Sequence, residues 1–256
     1  MNVKGLIFAA GIGSRLRPIT DTIPKALVEV GRVTMLERTI RRLIAAGVTD
    51  ITVNVHHHAQ LVKEWIAANA TLLGANLHVS DESSQLLDTG GGLLKAISSM
   101  TDADAILLHN VDIFTDIPLQ PMIEAHLARH SELPAVTLAT AARPTTRYLL
   151  FDKQQRMRGW ENVSTGEVRP SGLDKADLSP LGFLGIHVLS PGVAPLLKEY
   201  AANHGEVFSL TPFYFDNTEA LDIRSHRADN YTWLDVGRPE TLAIAQTLVH
   251  DDLDFI

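Results

Sequence analysis

Residues 3–25 read Val3-Lys4-Gly5-Leu6-Ile7-Phe8-Ala9-Ala10-Gly11-Ile12-Gly13-Ser14-Arg15-Leu16-Arg17-Pro18-Ile19-Thr20-Asp21-Thr22-Ile23-Pro24-Lys25. The apolar run Val3–Ala9, ending in small residues before Gly11 and Gly13, predicts a short buried strand that passes straight into a glycine turn. Outward from it, the spacing of Leu36, Ile40, Leu43 and Ile44 predicts a helix over Met35–Ala46, with Gly47 as its stop. A strand at Asp50–Val55 follows, then a helical stripe through Leu61, Val62, Trp65, Ile66 and Ala68, and a short strand at Leu77–Ser80. A helix over Gly90–Met100 opens on three glycines. The strand Ala105–His109, a helix from Pro118 to His130 and the strand Ala135–Ala141 complete the series. Strands alternating with helices imply a parallel sheet covered on both faces, and such sheets bind ligands at the carboxyl ends of their strands. The segments after Ala9, Val55, Ser80 and His109 are therefore the candidate site.

From Arg143 to Val188 the pattern changes to short β-like pieces at Tyr148–Asp152, Met157–Asn162 and Leu181–Val188, read as a β-rich insertion beside the main sheet. A helix at Val193–Tyr200, strands at Leu221–Ser225 and Tyr231–Leu234, and a helix over Pro239–Val249 close the chain. No repeat, low-complexity tract or linker interrupts residues 1–256, which predicts one domain with a subdomain.

The chain has 256 residues, 45% of them hydrophobic, with 22 Lys/Arg against 30 Asp/Glu, a net charge of −8 and no cysteine. That is enough apolar residue for a full core, and it excludes disulfides, thiolate metal sites and a cysteine nucleophile. No uncharged apolar run approaches the roughly 20 residues of a membrane helix, and the expectation is a soluble, cytoplasmic protein. Residues 1–42 carry eight Lys/Arg and three Asp/Glu, so a basic segment opens an otherwise acidic chain. Such a surface repels a nucleic-acid backbone but can hold a small polyanion locally.

Glycines directly after a strand let backbone N–H groups approach phosphates. The third glycine of a dinucleotide fingerprint would fall at Leu16, which argues against a nicotinamide-dependent oxidoreductase, and no Gly-Lys-Ser/Thr marks a Walker loop. The string instead carries Arg15, able to clamp phosphate oxygens, and Lys25 after Pro24, a mobile point charge. Gly11-x-Gly13-x-Arg15-x-x-Pro18-x-Thr20, with Pro24-Lys25-x-Leu27, resembles the motif of sugar-1-phosphate nucleotidyltransferases, and the similarity extends over most of the chain. The resemblance implies an α/β fold: a Rossmann-like, three-layer α/β/α, GT-A-like domain with a predominantly parallel sheet. Residues 1–142 would form its nucleotide-binding core, and 143–256 its sugar-binding part and C-terminal helix. It also implies that Arg15 holds the β- and γ-phosphates, that Lys25 contacts the α-phosphate, and that Ala9, Ala10, Gly11, Gly13 and Ser14 wrap the nucleotide.

Asp112 lies beyond the strand Ala105–His109, and Asp235 ends the strand Tyr231–Leu234. Hard oxygen ligands without histidine or cysteine suit Mg²⁺, which takes one or two carboxylates plus phosphate oxygens, and the resembled family places its two metal aspartates in these positions. Val111 stands where that family has glycine. The stretch Leu86-Leu87-Asp88-Thr89-Gly90-Gly91-Gly92 resembles most the N-acetylmuramate-1-phosphate uridylyltransferases of cell-wall recycling, and puts Asp88, Thr89 and Gly90 at the base and ribose. Three glycines weaken a helix by roughly 1 kcal/mol each, so close approach of a ligand, or tight packing of helix on sheet, is the motive. The run His56-His57-His58 cannot turn three consecutive side chains toward one ion, which favours polar residues lining the sugar side. By resemblance, Asn54 and His57 touch the sugar phosphate and Asn110 and Glu161 bind the sugar, although Asn162 replaces the lysine that usually follows the glutamate.

The implied reaction is transfer of a nucleoside monophosphate from an NTP, with UTP favoured, to a sugar-1-phosphate, releasing pyrophosphate. The alternatives are guanylyl transfer to a mannose- or heptose-type phosphate, uridylyl or thymidylyl transfer to glucose-1-phosphate, and a regulator that binds a sugar nucleotide without reacting. The expected state is a monofunctional monomer or homodimer. The acidic tail Asp251–Ile256 could dock on its own domain or on a partner.

Overall fold

The computed structural model describes residues 1–249; the tail Asp251–Ile256 lies outside them. The first half of the chain runs β1 (Val3–Phe8), β2 (Glu29–Val30), β3 (Val33–Thr34), α1 (Met35–Ala45), β4 (Asp50–Val55), α2 (Ala59–Leu73), β5 (Asn76–Asp81), α3 (Asp88–Ile97), β6 (Ala105–Asn110), β7 (Ile113–Thr115) and α4 (Leu119–Leu127). The second half runs β8 (Ala135–Ala141), β9 (Arg147–Phe151), β10 (Met157–Asn162), β11 (Glu167–Arg169), β12 (Ser179–Leu189), α5 (Ala194–His204), α6 (Leu210–Asp216), β13 (Asp222–Arg227), β14 (Trp233–Asp235) and α7 (Pro239–Leu248).

β5, β4, β1 and β6 form a parallel core, in register through pairs such as Phe8 with Asn54 and Phe8 with Asn110. Side chains alternate across it. Ile7 and Leu107 pack with Leu36, Val62, Met122 and Leu242 of α1, α2, α4 and α7, whereas Leu6 and Leu108 pack with Leu93, Leu197 and Phe213 of α3, α5 and α6. The result is a three-layer α/β/α arrangement around a mostly parallel sheet. Full burial of each such Leu or Ile contributes about 1.5–3 kcal/mol. α1 starts where the Thr34 hydroxyl accepts the Glu37 N–H at 3.1 Å, a cap that contributes about 1 kcal/mol.

The second half departs from expectation. Leu181–Val188 does not lie beside the main sheet; it belongs to β12, an 11-residue strand inserted into it. The last residues of β12 pair antiparallel with β6, a longer stretch pairs with β8, and its first residues reach out to β9. The sequence pattern does not separate this strand from a peripheral one, because β12 is buried on both faces toward its end and reads as a plain apolar run. α6 went unpredicted because Pro212 and the aromatic run Phe213-Tyr214-Phe215 carry no helical period. Among the described residues, no helix is long and apolar enough to cross a membrane.

Candidate active site

At the end of β1 the Asn54 carboxamide oxygen accepts the N–H groups of Ala9 at 2.6 Å and Ala10 at 3.1 Å. The chain then leaves the sheet. Among the described residues, the N–H groups of Gly11, Ile12 and Gly13 meet no acceptor. Gly13 has φ 69°, the left-handed region that glycine enters without strain. Its carbonyl accepts both the Leu16 N–H and the Thr20 hydroxyl at 2.8 Å. A ring nitrogen of His57 lies 3.2 Å from the Thr20 carbonyl, so this histidine braces the loop. Buried Leu16 and Ala26 pin the two ends that present Arg15 and Lys25, while Ser14 lies exposed on the loop.

β7 and β14 pair antiparallel with Ile113 opposite Asp235, and the Val236 N–H donates to the Asp112 carbonyl at 2.9 Å. This small ribbon brings two carboxylates from distant parts of the chain together in front of the cationic loop. Lys25 Nζ donates to Asp112 Oδ2, and Arg15 Nη2 lies 3.2 Å from Asp235 Oδ2. Asp235 Oδ1 accepts the Gly237 N–H at 2.9 Å. Burial alone would raise the Asp235 carboxyl, but that hydrogen bond and the charges of Lys25 and Arg15 outweigh it and hold the group below the ordinary carboxylate range. Among the described residues no group of three or more His, Asp or Glu side chains forms a metal cage. The donor set is two hard carboxylates, which fits an ion that takes its remaining ligands from phosphate oxygens and water.

A cavity of about 340 Å³ opens beside this cluster, lined by Ala10, Gly11, Lys25, Asn110, Asp112, Asp88 and Thr89 among others. Asn110 thus sits on this cavity, with its buried Oδ1 lacking a partner among the described residues. The other expected contacts are rearranged. Ala9 is buried and its N–H is taken by the side chain of Asn54, itself 2% exposed and among the residues that line this cavity. The Gly90 and Gly91 N–H groups both donate to the Phe208 carbonyl, at 2.8 and 3.2 Å, so the close approach at this glycine run is made by the chain itself. The Thr89 hydroxyl accepts the Leu210 N–H at 3.0 Å, at the start of α6. Asp88, at φ 59°, is exposed with one oxygen on the Thr89 N–H.

Asp88 also borders a second cavity of about 620 Å³, lined by Arg143, Arg147, Trp160, Asn162, Phe183 and Ser209 among others. Glu161 does not line it. Strand alternation turns Trp160 and Asn162 inward and Glu161 away, where its carboxylate pairs with Lys175 at 2.6 Å. Arg143 stacks over the Trp233 ring with its guanidinium carbon 4.1 Å from the centroid, and donates to the Phe183 carbonyl at 3.0 Å. Burial lowers its pKa, against the opposing charge of Asp235. Neither Arg143 nor Arg147 forms an ion pair within 4 Å among the described residues. Sequence reasoning missed both, although Arg143 follows the end of β8, where the carboxyl-edge rule already points.

A family model described as "Nucleotidyl transferase" matches residues 4–252. The chain belongs to the nucleotidyl transferase family. It is 30% identical to the N-acetylmuramate alpha-1-phosphate uridylyltransferase of Caulobacter vibrioides, over 94% of each chain. It is 28% identical to the mannose-1-phosphate guanyltransferase of Hypocrea jecorina, over 93% of this chain and 62% of that one. In fold it matches a UDP-glucose pyrophosphorylase from Acinetobacter baumanii with a TM-score of 0.77 at 19% identity, covering 99% of this chain and 96% of that one. The nucleotidyl transferase is a sugar-1-phosphate nucleotidyltransferase, acting on an NTP and a sugar-1-phosphate.

Proposed function

We propose that this enzyme transfers a uridylyl group from UTP to N-acetylmuramate-1-phosphate or a closely related acidic sugar phosphate. The observation that carries the choice of sugar is the pair of guanidinium groups, Arg143 and Arg147, on the second cavity, neither in an ion pair among the described residues. N-acetylmuramate bears a lactyl carboxylate, which an arginine can hold bidentately; mannose and glucose do not. The relative from Caulobacter vibrioides is named for that sugar.

In this reading the unpaired N–H groups of Gly11–Gly13 and the Arg15 guanidinium hold the β- and γ-phosphates, and Lys25 lies against the α-phosphate. An ionised oxygen of the sugar phosphate attacks the α-phosphorus in line. A new P–O bond forms, the bond from the α-phosphorus to the bridging oxygen breaks, and its electron pair leaves with pyrophosphate. The nucleophile is already deprotonated, so positioning and charge stabilisation do the catalysis. Asp112 and Asp235 would hold Mg²⁺, which when bound neutralises charge on the α-phosphate. Arg15 keeps the leaving pyrophosphate in place, and Arg143, stacked on Trp233 beside Asp235, orients the incoming sugar phosphate.

Pyrophosphate release measured for every pairing of the four NTPs with a panel of sugar-1-phosphates tests this. UTP with N-acetylmuramate-1-phosphate is expected to exceed UTP with N-acetylglucosamine-1-phosphate, which lacks only the lactyl group, by roughly tenfold or more, the scale of one charge-assisted hydrogen bond. Arg147→Gln is expected to erase that preference while sparing the neutral sugar. Turnover confined to GTP with mannose-1-phosphate overturns the reading.

A further inference from the structure

Glu82 is the most deeply buried carboxylate beside the nucleotide cavity, at 1% exposure, and it has no cationic partner among the described residues. Burying an unpaired carboxylate is unfavourable unless hydrogen bonds satisfy it. Here two donors do so from opposite sides. Glu82 Oε1 accepts the Asn54 carboxamide N–H at 2.8 Å, and Oε2 accepts the Leu87 N–H at 3.1 Å. The same Asn54, 2% exposed, spends its oxygen on the N–H groups of Ala9 and Ala10. A continuous chain of hydrogen bonds thus runs from the start of the glycine–arginine loop, through Asn54 and Glu82, to Leu87. Both ends border one cavity, which is lined by Ala10 and Gly11 and by Leu86 and Asp88, the residues that flank Leu87. Gly92 makes the room: a Cβ there would lie 2.8 Å from Glu82 Oε1 and 2.9 Å from Asn54 Nδ2.

We propose that Glu82 and Asn54 are positioning residues that lock the phosphate loop and the base loop into one unit, setting the span between the two ends of the bound nucleotide. The proposal rests on the reading that the NTP occupies this cavity. The polarity of the bridge is directional. By saturating Ala9 and Ala10, Asn54 leaves the next N–H groups, Gly11 to Gly13, as the first ones free to meet phosphate. By holding Leu87, Glu82 fixes the backbone that carries Asp88 and Thr89. Because Asn54 borders the first cavity and neither side chain lines the second, the loss of the bridge should be felt by the nucleotide and not by the sugar.

Glu82→Gln keeps the shape but turns one oxygen into a donor that must face either the Asn54 amide or the Leu87 N–H. Asn54→Asp sets a second carboxylate oxygen against Glu82. The double variant N54D/E82Q reverses the middle bond and restores all four, because the new carboxylate at 54 accepts Ala9, Ala10 and the new amide at 82, whose oxygen accepts Leu87. Each single variant is expected to raise the KM for NTP about tenfold, the scale of one buried hydrogen bond lost, with the KM for sugar phosphate changed less than about twofold. The double variant is expected to return the NTP KM to within about threefold of the original enzyme. Wild-type KM in the singles, a parallel rise in both KM values, or a double variant that folds with an uncorrected NTP KM overturns the proposal. If the singles do not fold, the double variant alone decides in the same way. Asp112→Asn run alongside separates the premises: full turnover there means that the nucleotide reacts elsewhere, whereas an inactive Asp112→Asn beside unaffected singles removes the bridge alone.

Discussion

The chain holds two glycine-rich stretches, one a loop at the carboxyl end of β1 and the other in the first turns of helix α3, and they do opposite work. At Gly11 a Cβ would meet nothing within 4 Å, and the surrounding N–H groups have no acceptor among the described residues. At Gly91 a Cβ would stand 2.1 Å from the Glu206 carbonyl oxygen, and at Gly90 2.3 Å from the Phe208 ring. The first stretch is left open for something outside the chain; the second is filled by residues 206–208 of the chain itself. The same residue type therefore borders open space in one place and makes a packing contact in the other, and composition alone cannot distinguish them. What does is the company: Arg15 and Lys25 follow the first stretch, while Leu93 and Ile97 follow the second.

The largest effect expected on this contrast is at the carboxylates facing the open turn. Asp235→Asn is expected to lower turnover roughly 10³-fold, as removal of one preorganised electrostatic partner does, with the Tm almost unchanged because the new amide still accepts the Gly237 N–H. Pyrophosphate-release kinetics beside a thermal melt check this. Turnover near the original rate would make the open turn an incidental surface loop.

Next come the glycines. Gly91→Ala forces the backbone of residues 206–208 to move and is expected to destabilise by about 3 kcal/mol, the upper end of overpacking costs. Gly11→Ala is expected to shift stability by less than about 1 kcal/mol, while raising the NTP KM because the new methyl stands where the chain now leaves space. Denaturant melts of both variants, read with NTP titrations, sharpen the comparison. Equal destabilisation would erase it.

The sequence makes legible what is carried by short-range chemistry. The apolar runs of β1, β4 and β6 and the charges at Arg15, Lys25, Asp112 and Asp235 lie in local patterns, and the structure brings those four side chains together. It hides what depends on pairing partners far along the chain. β12 enters the sheet between β6 and β8 because its buried end fits both neighbours, a fact that no local window contains. Asn54 looks like a ligand residue because it ends a strand at the binding edge, yet its oxygen goes to Ala9 and Ala10 and its nitrogen to Glu82. His57 and Glu161 likewise have partners within the chain, the Thr20 carbonyl and Lys175.

The smallest expected effect belongs to the filled side. His187 lies in the layer that also receives Phe208, with a ring nitrogen 2.8 Å from the Tyr214 hydroxyl and the Phe183 ring edge-on at 4.5 Å. Burial, and secondarily the charge of His109, push its pKa down to about 3; burial and then Arg42 push His109 to about 3 as well. An unfolded histidine titrates near 6.5, so between these values the unfolded chain binds more protons than the folded one, and stability rises with pH. The contribution is complete above about pH 6.5 and is lost as the pH falls toward the folded values, by about 2 kcal/mol per histidine at pH 5. His187→Asn removes one titrating group while keeping a polar partner for Tyr214. Its melting temperature is therefore expected to decline less between pH 7.5 and pH 5 than that of the original chain. Parallel profiles would locate the acid sensitivity elsewhere.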